Sequence, residues 1–168
     1  MINVEEFRRV LSGPVDGEVP QSLISRITFA AENPGAVISR AREVMVSVFE
    51  GGRAPWPELE SWRAALPLWF AEACAPERSP EQAQLELAAW RRLTQAERAA
   101  CEPAWTLSGW VHWFDPNGAG PERGWTWWHA GAAGETGWID VAVEDVPFTS
   151  GALLWLIAAA GGREVDSD

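Results

Sequence analysis

The chain has 168 residues, 47% of them hydrophobic, which suits one domain with a sizeable core. Its 24 acidic residues against 13 basic ones give a net charge of −11. That balance sets aside nucleic acid, whose phosphates need a basic footprint, and an anionic membrane surface.

In chain order, Asn3 and Glu6 have capping-box spacing and open a short helix to about Leu11, which Ser12-Gly13-Pro14 stops. Pro20 suits a first helical position. Leu23, Ile24 and Ile27 then share one face of a predicted second helix running to about Ala31. Asn33-Pro34 repeats the cap-plus-proline start. Val37, Ile38, Ala41, Val44, Met45, Val48 and Phe49 follow at 3–4 spacing, the clearest amphipathic helix in the chain, ended by Gly51-Gly52. Glu58 to Ala65 and Leu68 to Ala73 read as short helices divided by Pro67. Ser79-Pro80-Glu81-Gln82 is a capping box opening a helix to about Leu93, and Thr94 to Glu97 is another, leading to about Cys101. Thr106 or Ser108 caps a helix whose Trp110, Trp113 and Phe114 form a core stripe, with His112 pointing elsewhere.

After the turn Asp115-Pro116-Asn117-Gly118 the pattern changes. Gly124 to His129 and Trp138 to Val143 are rich in strand formers and read as a β-hairpin around the glycine-rich stretch between them. Ser150 caps a last helix, Ala152 to Ala160, apolar nearly all round and therefore central to the core. The expected fold is α+β: a helical N-terminal two-thirds, then a C-terminal hairpin and a buried helix. Residues 1–163 form one domain, and 164–168 are an acidic tail expected to fray. Two strands are marginal alone, so the hairpin must lean on helices or pair with a further strand.

Twelve tryptophans dominate the aromatic content, and tyrosine and lysine are both absent. Lysine Schiff bases, P-loop lysines and tyrosine acid catalysis are thereby excluded. A buried indole removes roughly 150–250 Å² from water, so most of these rings belong in the core and any surface ring needs a reason. Strand alternation supplies candidates. Pairing the apolar sets places Trp125 and Trp127 beside Val143 and Val141. Trp128 and Trp138 are then left on the outer face near Asp140, with Glu144 further along it. Two indoles beside a carboxylate would attract a guanidinium or quaternary ammonium. The competing reading is a helix packed over that face, and a one-residue slip in register would exchange the two faces.

Other chemistry is thin. His112 and His129 are the only histidines, and neither CxxC nor HExxH spacing occurs. Asp115, Asn117 and Gly118 resemble part of a calcium loop, but its later ligand positions fall on Ala119 and Thr126. A Cys101–His112 or Cys101–His129 dyad can be drawn, with nothing to place either pair in reach. No metal, no cofactor and no catalytic residue is therefore expected, and the N-terminus carries no apolar signal-peptide core, which points to the cytoplasm. The expectation is a non-catalytic cytoplasmic binding protein of inhibitor or immunity type. Its acidic surface, bearing Trp128, Trp138, His129, Asp140 and Glu144, would engage a basic protein partner. The alternative is a small-molecule-binding protein or enzyme with an aromatic pocket between the hairpin and the last helix, using His129, Asp140 and Glu144.

Overall fold

A computed structural model describes residues 3–101, 104–118 and 123–167. In chain order these form α1 (Val4–Ser12), β1 (Leu23–Ala30), α2 (Pro34–Gly51), α3 (Leu59–Ala65), α4 (Leu68–Ala73), α5 (Pro80–Arg92), α6 (Gln95–Ala100), α7 (Leu107–His112), β2 (Trp125–Ala133), β3 (Thr136–Val143), α8 (Gly151–Ala159) and β4 (Arg163–Ser167). The fold is α+β. The four strands make one antiparallel sheet in the order β2-β3-β1-β4. No helix among the described residues is long and apolar enough to cross a membrane.

The chain's cap chemistry sets most helix starts. Asn33 accepts from the Ala36 amide with Pro34 in the first turn, and both predicted capping boxes, Ser79–Gln82 and Thr94–Glu97, close in both directions. The α2 face read from the sequence is the buried one, Val37 through Phe49. It packs on the inner side of the sheet, where Ile27, Trp127, Ile139 and Val141 are fully buried together with Leu153, Leu156 and Ile157 of α8.

Two segments differ from expectation. Leu23–Ala30, expected as a helix, is the strand β1 between β3 and β4. Its sequence fits both periods. Leu23, Ile24 and Ile27 suit a helical face, but Ser25, Ile27 and Phe29 alternate with Arg26 and Thr28, and the buried set follows the alternation. This is the further strand that the hairpin needed. Residues 163–167, expected within or next to a frayed tail, pair with β1 as an edge strand, with Val165 against the core. Gly161, at φ 107°, supplies the left-handed turn that returns the chain from α8.

The hairpin has the register read from its sequence: Trp125 faces Val143 and Trp127 faces Val141. A β-bulge then follows, so that His129, not Trp128, stands opposite Asp140. Across the sheet, aromatic rings cover glycines. Phe29 lies over its cross-strand partner Gly137 on the inner face, and the Trp138 indole lies over Gly131 on the outer. A Cβ on Gly131 would stand 2.5 Å from the Trp138 ring, so that close approach requires glycine.

Helix α1 closes the β2 edge, and the loop behind it is tied down by Glu18. That carboxylate accepts from the Val15 amide at 2.9 Å, from Arg8 at 2.7 Å and from Arg9 at 2.8 and 2.9 Å. The Val15 amide, followed by the two guanidiniums, lowers its pKa from 4.5 to about 2. A depressed carboxylate pKa favours the folded state above the unfolded value, and that contribution is lost as pH falls from 4.5 towards 2. In thermal melts the stability difference between the wild type and Glu18→Gln is therefore expected to close over that interval. A difference that stays constant would show that the ionised carboxylate contributes nothing.

Candidate functional site

Among the described residues no helix covers the centre of the outer sheet face, which is built by three strands. Arg26 on β1 stands opposite Asp140 on β3, which stands opposite His129 on β2; the next outward row places Thr28, Trp138 and Gly131 side by side. Arg26 donates to Asp140 through Nε at 2.7 Å and Nη2 at 2.9 Å, a bidentate pair. Its guanidinium also stacks 4.9 Å from the Trp138 ring centre. These neighbours leave the Asp140 side chain only 9% exposed on a face that is otherwise open, while Arg26 keeps 48%.

The structure brings Trp138, Asp140 and His129 together, with Glu144 exposed beyond the end of β3. Trp128 is not among them. The bulge removes it from the row, and its half-buried ring lies under Arg9 of α1, 4.5 Å from the guanidinium. The same bulge turns His129 outward and Ala130 inward, the reverse of simple alternation. Arg26 is the residue that sequence reasoning missed. The indole and carboxylate offered to a partner's cation already hold one from the chain itself. The signal was the alternation Ser25-Arg26-Ile27-Thr28-Phe29, which puts Arg26 on the polar face once the segment is a strand.

The expected pocket between the hairpin and α8 would need His129, Asp140 and Glu144 on the side where α8 packs. Strand parity puts Asp140 on the outer face, the bulge turns His129 there, and Glu144 lies beyond the end of β3, while α8 packs from the inner face through Leu153, Leu156 and Ile157. Cavities of about 350 Å³, beside Leu68, Cys74 and Leu107, and about 390 Å³, beside Asn33, Arg40 and Arg163, lie elsewhere. Among the described residues no cluster of three His, Cys, Asp or Glu could hold a metal. The Cys74 thiol is pushed up in pKa by burial, the opposite of an activated nucleophile, and Cys101 is exposed at the end of α6. The chain matches no family model, no curated protein and no solved structure.

The apolar part of the outer face lies next to this cluster. Ile24 is 40% exposed at one end of β1, beside Ala142, while Leu23, opposite Val143, has the inner-face parity of Ile27 and is exposed where the strand begins. Glu144 and Asp145 flank that end. Asp166 of β4 completes the row of Trp138 and Thr28, and it is exposed. None of these three acids takes part in an ion pair among the described residues, whereas the arginine on the face is engaged by Asp140.

Proposed function

We propose that this is a non-catalytic binding protein that engages a basic protein partner through the uncovered sheet face. The observation that carries the reading is the pairing of exposed Ile24 with a rim of acids, Glu144, Asp145 and Asp166, that make no ion pair among the described residues, on a face whose own arginine is neutralised. Desolvated apolar contacts would supply affinity, and the rim would supply attraction and register. Two copies of the chain would bring like-charged rims together on this face, which favours a different, cationic protein. The acidic balance turns the same surface away from nucleic acid. Two unpaired cysteines fit a reducing cytoplasm. An inhibitor or immunity-type role towards a basic effector is one form that such binding takes.

Affinity capture on the immobilised protein, with captured proteins identified by mass spectrometry, tests this. Ile24→Arg should abolish capture of a basic protein, and raised ionic strength should weaken it. The variant's melting should stay within about 0.5 kcal/mol of the wild type, because the side chain is solvent-facing. Capture that survives Ile24→Arg, or that enriches no basic protein, would overturn the reading.

A further inference from the structure

Helix α5 stands apart from the rest of the molecule because none of its residues is buried. Thirteen residues span about 20 Å, and a helix of that length is marginal in water on its own propensity. Its ends are held with care. Ser79 and Gln82 close a capping box at the start. At the far end Arg98 of α6 donates to the carbonyls of Trp90 and Arg91 at 3.1 and 3.0 Å and stacks on the Trp90 ring at 5.8 Å. The Trp90 side is therefore turned to α6. At about 100° per residue, the opposite side carries Glu81, Leu85, Ala88 and Arg92, spaced four, three and four apart, the seam of a helix pair. Leu85 on that seam is 72% exposed.

The electrostatics here also depart from the whole. Residues 78–98 hold four arginines against three glutamates, a net +1 in a chain of net −11. The repulsion that opposes self-association elsewhere is absent at this point. Glu81 lies in the first turn of α5 and Arg92 in the last, each in the favourable position for the helix dipole.

We propose that α5 pairs antiparallel with α5 of a second copy of this chain. A two-fold axis between residues 86 and 87 sets Glu81 of each copy against Arg92 of the other, and Leu85 of each against Ala88 of the other. The two ion pairs close the ends of the seam, and the alanines leave room for the leucines to insert. The antiparallel arrangement also opposes the helix dipoles head to tail. A parallel pair would place Glu81 on Glu81 and Arg92 on Arg92. One helix pair buries less than a standard interface of about 1,600 Å², so the dimer is weak, with a Kd on the order of 10–100 µM.

Sedimentation equilibrium of the full chain at low salt, from about 5 to about 500 µM, tests this range. Leu85→Glu should leave a monomer throughout. Glu81→Arg and Arg92→Glu alone should each raise the Kd about tenfold or more, since each sets like charges opposed. The double variant, Glu81→Arg with Arg92→Glu, should bind more tightly than either single variant, because the exchanged pair is again opposite in sign. Circular dichroism of each variant checks that α5 stays helical, because the charge reversals at its ends also act against the helix dipole. A wild-type monomer over the whole range would overturn the proposal. So would a double variant no tighter than the singles, or a dimer that Ile24→Arg disrupts and Leu85→Glu does not.

Discussion

Replacing Glu6 with alanine is expected to destabilise the protein by about 3–5 kcal/mol, the usual loss when one partner of a buried charge pair is removed. Glu6 is fully buried on α1. One carboxylate oxygen accepts the Trp127 backbone amide at 2.8 Å, and the other pairs with Arg123. The Arg123 guanidinium is stacked between Phe114 and Trp125, at 4.9 and 4.6 Å, and its Nη1 is buried with no hydrogen-bond partner among the described residues. Alanine would therefore strand a buried cation and leave an edge-strand amide unpaired, each a separate penalty. Glu6→Gln keeps an acceptor for the Trp127 amide, so its loss should be clearly smaller than that of Glu6→Ala. Urea denaturation of both variants measures the difference. A loss below about 1 kcal/mol for Glu6→Ala would mean that Arg123 and the amide find other partners, and α1 would no longer be the closure of the β2 edge.

The second large effect belongs to Trp110, which is fully buried and packs against Phe70 and Phe114 at 4.7 and 4.6 Å. Trp110→Ala is expected to lose about 3–5 kcal/mol through lost burial and the cavity left behind. Phenylalanine replacements separate packing from hydrogen bonding. The Trp110 Nε1 donates to the Ala152 carbonyl at 2.9 Å, linking α7 to α8. Trp127 is equally buried, but its Nε1 has no hydrogen-bond partner among the described residues. Trp110→Phe breaks a buried bond, whereas Trp127→Phe removes a donor that was already unpaired. The first should therefore be more destabilising than the second by about 1–3 kcal/mol in parallel urea titrations. An equal or reversed order would show that ring volume alone decides both positions.

The sequence was most legible where structure is local. The caps Asn33, Ser79 and Thr94 depend on neighbours three residues away, and each forms as spaced. The hairpin register was legible because Trp125 and Trp127 have only one apolar set to face. What could not be read is set by distant pairing. Ile24 and Ile27 suit a helix until their β3 partners Ala142 and Ile139 arrive 118 and 112 residues later, and Arg26 has no role until register puts Asp140 beside it. Glu6 has capping-box spacing from Asn3, yet its carboxylate turns to β2, while Asn3 alone caps the Glu5 and Glu6 amides. The bulge after Trp127 leaves no mark on the alternation, and it exchanged Trp128 for His129 in the candidate site. The acids after Arg163 alternate at Glu164, Asp166 and Asp168, but Val165 is the one apolar residue between them, so β4 is a strand by virtue of the open β1 edge rather than of its own hydrophobic pattern.

The central place of β1 has a consequence for how the chain acquires its shape. Leu23 must meet Val143, and Thr28 must meet Asp166, across loops of well over a hundred residues. The entropy of closing those loops is spent before either contact returns anything, which makes folding slow compared with a helical bundle of the same length. During synthesis at about 5–20 residues per second, the α2 helix is complete for several seconds before β3 emerges. Through that interval Leu23–Ala30 is an apolar strand with both edges open, the segment of the nascent protein most exposed to mispairing with its neighbours.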